Sequence, residues 1–216
     1  MGIWSAISSG LSAICSGVGK MVSGLSDFAI KYGPTILGNL SPVLRVFSAL
    51  AQVFNIFKPD EDIENMGDLA IQAGEAGIQM ENYSNYDEYL DAIRNFELDP
   101  EKSKTIDDKE KMLVGVGLVS KGIEDKFNLP EGVGGLMTIL AATHSGYFTE
   151  SRFENWLQTG EMGDIIRYFD NKLSPAESSR IIDVIVGAEK EFSLKSEDEI
   201  YQDLVDAQDA LGQKDC

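Results

Sequence analysis

The sequence predicts an all-α protein, because helical patterns run through it and strand patterns do not. In the first 57 residues large apolar side chains recur every three or four positions, which places them on one face of a helix. Further along, four motifs led by serine or threonine resemble capping boxes and predict helix starts, at 84–87, 105–108, 174–177 and 196–199. No alternating run of β-branched residues is long enough to build a sheet.

Charge divides the chain into two parts. The whole sequence has 18 Lys and Arg against 36 Asp and Glu, a net charge of -18. Up to position 57 three positive residues and one negative residue give +2, which leaves -20 for the remainder; these four residues are Lys20, Asp27, Lys31 and Arg45. We therefore predict an apolar, Gly/Ser-rich helical hairpin over 1–57 and an acidic multi-helix bundle over 58–216. The acidic part repels phosphate backbones, so no nucleic-acid partner is expected.

The first helix of the hairpin carries a seven-residue repeat, SGLSAIC, SGVGKMV, SGLSDFA. Its apolar seam comprises Trp4, Ile7, Leu11, Ile14, Val18, Met21, Leu25 and Phe28. The other side presents small residues where a soluble coiled coil places Glu and Lys; the glycines are Gly10, Gly17 and Gly24. Glycine costs about 1 kcal/mol in a helix interior, so we interpret this stripe as a helix-packing surface on which two backbones approach closely.

Gly33 and Pro34 predict the end of the first helix, and a second helix is expected from Thr35 onward, with Pro42 near its first turns. The second seam comprises Ile36, Leu40, Val43, Phe47, Leu50, Phe54 and Phe57. The 23 residues from 35 to 57 are long enough to span a hydrocarbon core of roughly 30 Å. We predict that both seams insert into a membrane.

Two cations interrupt the hairpin. Lys20 and Arg45 would cost about 2.5–3.5 kcal/mol each at the centre of a bilayer unless they face water, so we interpret them as candidate pore-lining groups.

A soluble alternative stays open, because Asn39, Ser41, Gln52 and Asn55 dilute the second segment. In that alternative both seams pack against the acidic body, as amphipathic helices usually do. A pore former that hides its hairpin before delivery and exposes it afterwards satisfies both interpretations.

In the acidic body the predicted helices cover about 62–79, 85–97, 107–127, 130–142, 150–158, 161–172, 175–192 and 197–211. Short loops join them into one bundle.

Nothing in the sequence indicates catalysis. His144 is the only histidine, and the two cysteines, Cys15 and Cys216, form no metal-binding pattern. Carboxylates near His144 have no spacing that identifies a catalytic pair. We predict no enzymatic activity, no metal site and no cofactor. The opening residues lack the basic region of a Sec signal peptide, so synthesis in the cytoplasm without that signal is expected.

Residues 2–57, together with the missing Sec-type signal, resemble the organisation of small antibacterial effectors delivered by type VI secretion systems, which form ion-selective pores in the target cytoplasmic membrane. The resemblance implies a membrane-depolarising toxin, inserted in a target cell's lipid bilayer, that can form homo-oligomers. It also implies a secretion-tube or chaperone carrier and an immunity protein that neutralises the toxin in its producer. The alternative is a soluble all-helical interaction or virion-associated protein whose N-terminal helices pack against a partner.

Overall fold

The computed structural model describes residues 25–212, and within this range the prediction of an all-α protein is confirmed. The described chain forms eleven α-helices joined by turns, with no strand among these residues. They are α1 (Leu25–Gly38), α2 (Leu40–Val53), α3 (Ile63–Glu75), α4 (Tyr86–Arg94), α5 (Pro100–Ser103), α6 (Asp108–Lys126), α7 (Val133–Thr143), α8 (Glu150–Gln158), α9 (Met162–Phe169), α10 (Pro175–Lys190) and α11 (Glu197–Gly212), with a 3₁₀ turn at Met80–Asn82.

The predicted capping motifs are half correct. Ser174 and Ser196 each exchange hydrogen bonds with a glutamate three residues later, at the starts of α10 and α11. For α4 and α6 the cap lies one and two residues later than predicted, at Asn85 and Asp107. Asn and Asp accept amide hydrogen bonds at a helix start as well as Ser and Thr do, which explains the displacement.

Two apolar helices, α6 and α7, occupy the centre of the bundle. In α6 every residue from 113 to 120 is buried, and in α7 every residue from 133 to 142 is buried except the half-buried Leu136. The helices α2, α3 and α4 pack on α6, while α1, α2 and α9 pack on α7. A helix that is apolar on nearly every side has to be surrounded in this way.

The crossing of α3 and α6 is unusually close. A methyl group added to Gly67 would lie 1.8 Å from the carbonyl oxygen of Lys111, and one added to Gly115 would lie 1.9 Å from that of Ile63. The two helix backbones therefore touch at positions where only glycine fits.

A buried ion pair joins α8 to α10. Arg152 donates from Nε and Nη2 to the two carboxylate oxygens of Glu189, each at 2.7 Å. The Tyr147 hydroxyl donates to the same carboxylate at 3.2 Å, and Glu189 is fully buried. Removing one partner of such a pair leaves an uncompensated buried charge, at a cost of about 3–5 kcal/mol. The pair therefore fixes the C-terminal helices on the bundle.

Two glycines of α3 test the close crossing. We expect Gly67→Ala to lower the free energy of unfolding by about 1–3 kcal/mol, because the new methyl group overlaps backbone atoms that cannot move independently. Gly74→Ala, where a methyl group meets no atom within 4 Å, is the matched control. It should be neutral or stabilising by up to about 1 kcal/mol, since alanine favours helix. Urea denaturation measures both, and equal effects would contradict the close crossing.

Candidate membrane-insertion region

The described part of the second seam lies in the core, where it covers the central helices. Ile36, Val43 and Phe47 are 0% exposed and Leu50 is 1% exposed. Leu40, Phe54 and Phe57 are also buried. Through these side chains α1 packs on α7, while α2 packs on α6, α7 and α8. The hydrophobic core thus continues across position 57, where the sequence predicted a domain boundary.

Much of the first seam lies outside the described residues. This applies to Trp4, Ile7, Leu11, Ile14, Val18 and Met21, to the packing glycines Gly10, Gly17 and Gly24, and to Lys20. Leu25 and Phe28 belong to α1.

The predicted boundary between the two hairpin helices is wrong. The first helix continues through Pro34 to Gly38, and the chain bends by 80° before α2 begins. At the break Asn39 has the non-helical angles φ -123° and ψ 33°, and Pro42 lies in the first turn of α2, where its missing amide hydrogen is tolerated. At the break the Asn39 side-chain amide donates to the Thr35 carbonyl at 3.1 Å, which stabilises the end of α1.

The second helix also ends earlier than predicted, at Val53 instead of Phe57. Asn55 has the left-handed φ of 51°, and its amide donates to the Gln52 carbonyl at 3.1 Å. The Ile56 amide donates to the Ala51 carbonyl at 2.8 Å. Together with the left-handed conformation of Asn55, these two bonds form a Schellman motif, which terminates a helix.

The predicted continuous helix over 35–57 is therefore absent. Among the described residues, no helix by itself has the length and hydropathy to cross a membrane. Tyr32–Gly38 and Leu40–Val53 reach that length and hydropathy when taken together across their bend.

A charged clamp fastens the chain just after α2 to the body. Arg94 donates from Nε and Nη2 to Oε1 and Oε2 of Glu61, at 2.8 and 2.9 Å. Its Nη2 also lies 3.3 Å from the Ile56 carbonyl, and Glu61 accepts the Lys58 amide at 2.8 Å. This Glu61–Arg94 clamp was not predicted, because its two residues are 33 positions apart and no local pattern connects them.

The Glu61–Arg94 clamp lowers the pKa of the Glu61 carboxyl group. Burial of Glu61 opposes ionisation, but the hydrogen bonds and charge of Arg94 and the Lys58 amide outweigh it, so the pKa of Glu61 lies below its ordinary value.

The outward face of α2 is polar and nearly uncharged. Ser41, Arg45, Ser48 and Gln52 are exposed on it. The Arg45 side chain is 60% exposed, and its Nε lies 3.7 Å from Glu150 Oε2 on α8. Arg45, predicted to line a pore, therefore lies at the surface in this folded form.

His144 follows α7, where its ring stacks on Tyr147 with 6.2 Å between ring centroids and meets Phe148 edge-on. Across residues 25–212, no three or more His, Cys, Asp or Glu side chains are grouped to hold a metal ion.

A shallow depression of about 270 Å³ beside α6 is lined in part by Lys121, Glu124 and Glu131. Glu124 accepts the Gly132 and Gly134 amides at 2.8 and 2.9 Å, which caps the start of α7. This carboxylate has a structural role.

Comparison of the chain with protein-family models, with characterised proteins and with solved structures finds no match.

The clamp predicts a pH dependence of stability. Because the pKa of Glu61 is lowered by folding, the clamp stabilises the native state fully above the ordinary glutamate pKa, and this stabilisation is lost as the pH falls through the lowered pKa. We expect Arg94→Gln to lower the free energy of unfolding by about 1.5–3 kcal/mol at neutral pH, the range for hydrogen bonds to charged groups. The difference from wild type should shrink in acid.

Urea denaturation at a series of pH values measures this difference. Arg180→Gln is the matched control, since Arg180 pairs with Glu161 and Asp164 on the surface and is 47% exposed. It should change stability by less than about 1 kcal/mol. A difference for Arg94→Gln that does not depend on pH would contradict the role of the Glu61 carboxylate.

Proposed function

We propose that this protein is a membrane-active, pore-forming antibacterial toxin, and that residues 1–57 enter the membrane of a target cell and depolarise it. The proposal rests on the low charge, the length and the hydropathy of α1 and α2. From Tyr32 to Phe57 Arg45 is the only charged residue, and the two helices together have the length and hydropathy of a membrane span. In the folded chain the seam from Ile36 to Phe57 is buried, and α1 and α2 pack on α6, α7 and α8, so this seam is protected from water until a bilayer is available.

The distribution of charge supports the same proposal. From position 58 onward the chain carries 15 positive and 35 negative residues, which favours water over lipid. The apolar helices are thus carried by a strongly hydrated body. The proposal includes membrane lipid as the target, self-association in the membrane, a carrier for delivery and an immunity protein in the producing cell. It includes no enzymatic activity.

A second candidate function rests on the burial of the seam. Because Val43 and Phe47 are completely covered by the chain's own helices, α2 can serve simply as a core helix of a soluble interaction or virion-associated protein. A partner would then meet the outward face of α2, and no membrane activity is expected.

Deleting residues 1–57 cannot separate these functions, because the deletion removes fully buried residues of the core. A charge on the outward face of α2 separates them. Ser48 is exposed, so Ser48→Asp should change the free energy of unfolding by less than about 0.5 kcal/mol. While α2 enters the bilayer, before a pore supplies water to this face, the same aspartate costs about 2.5–3.5 kcal/mol at the centre of a helix, which corresponds to roughly a hundredfold slower insertion.

We therefore expect Ser48→Asp to suppress dye release from liposomes strongly. Ser179→Asp, at an exposed position of α10, is the matched control and should release dye like wild type. Release that is equal for both variants would overturn insertion of α2. No release by the wild-type chain at neutral or mildly acidic pH would favour the soluble interaction function.

Ion selectivity tests the assignment of Arg45. If Arg45 lines the pore, Arg45→Glu replaces a positive charge with a negative one on the ion path and should shift the reversal potential in a planar bilayer towards cation permeation. Arg45→Gln should give an intermediate shift. A reversal potential that is the same for all three proteins would remove Arg45 from the pore.

A further inference from the structure

We infer that α1 and α2 leave the core together by rotation at Asn55, while the Glu61–Arg94 clamp stays closed and keeps the following chain on the body. This inference rests on the proposed function and narrows the inserting segment to the residues before Asn55, because the buried Ile56 and Phe57 stay on the body. It follows from the different chemistry of the contacts on the two sides of Asn55.

Before Asn55 the contacts with the body are chiefly apolar. Phe47 and Leu50 are buried among α6, α7 and α8, and the Phe54 ring meets Phe127 edge-on with 4.8 Å between centroids. Arg45 and Glu150 approach to 3.7 Å, but their side chains are 60% and 38% exposed and the distance is longer than a hydrogen bond, so this ion pair contributes little. Apolar contacts have no directional requirement, so lipid tails can replace them.

After Asn55 the contacts are directional and charged. The clamp joins Glu61 to Arg94 through two charge-assisted hydrogen bonds and adds bonds to the Ile56 carbonyl and from the Lys58 amide. Lipid tails offer no donors or acceptors that could replace these bonds. A bilayer can therefore compete for α2 but not for the clamp.

The side chain of Ile56 anchors the same turn. It is buried against Gly122, where a methyl group would lie only 2.6 Å from Ile56 Cγ2 and 3.0 Å from the Tyr86 ring. Between this anchor and the last apolar contact of α2 lies Asn55, an exposed residue with a left-handed backbone that ends the helix. A rotation at this residue breaks the Asn55 and Ile56 amide bonds to α2 and the Gln52 side-chain bonds to the Lys58 and Glu61 carbonyls, at 3.5 and 3.3 Å. It leaves the bonds between Glu61 and Arg94 intact.

Two thiol-cleavable cross-links test the movement, each in the full chain with Cys15→Ser and Cys216→Ser. The first joins Arg45→Cys to Glu150→Cys with a short bismaleimide that contains a disulfide, and it locks α2 on α8. The second joins Glu61→Cys to Arg94→Cys and locks the clamp. Dye release from liposomes is measured for each protein with its cross-link intact and again after a reducing agent has cleaved it.

We expect the α2–α8 lock to lower release at least tenfold until it is cleaved, and the clamp lock to leave release the same before and after cleavage. Release that persists with the α2–α8 lock intact would show that α2 stays in the core. Loss of release with the clamp lock intact would show that the clamp has to open. If both cleaved proteins and the cysteine-free chain release no dye, the proposed function itself fails and the inference fails with it.

Discussion

The bundle depends on covering the central stretch of α6, from 113 to 120, and nearly all of α7. Neither has a polar face that could be turned towards water, so neighbours have to surround both. The helices α1 and α2 supply part of this cover, and each fully buried seam residue contributes about 1.5–3 kcal/mol relative to exposure in water. The described part of the candidate insertion region is therefore also part of the core. Any state in which it leaves requires another apolar environment for the face of α6 and α7 that it covered.

The distribution of charge favours one side of the protein for contact with a membrane, which would supply that apolar environment. An anionic bilayer repels the acidic body, whereas the outward face of α2 carries Arg45 and uncharged polar residues. The protein can therefore approach a membrane with this face at lower electrostatic cost than with the acidic helices that follow. The outward face of α2 and its buried seam lie on the same short helix. If this face approaches a membrane first, as the proposed function requires, the approaching helix is also one that covers the central pair.

Spacing along the chain was sufficient to predict the buried seam from Ile36 to Phe57, because the apolar period of a helix is the same whether core or lipid covers it. The spacing could not show whether the protein core or lipid covers the seam. The break at Asn39 was missed because Gly33 and Pro34 are the stronger local stop signal, yet α1 continues through both and ends only at Gly38. The clamp and the close crossing of α3 and α6 could not be predicted, since both depend on which helices meet after folding.

The break between α1 and α2 also favours a water-filled path over a passive anchor. Pro42 cannot donate to the Gly38 carbonyl in any environment, so in the proposed membrane state this carbonyl would still lack its helical donor. The 14 residues of α2 extend about 21 Å, less than the roughly 30 Å of a hydrocarbon core, so the break would lie within the bilayer. A carbonyl without a donor costs several kcal/mol in lipid. The inserted helices would lower this cost by turning the break towards water, and in a proposed oligomer that water lies in the pore.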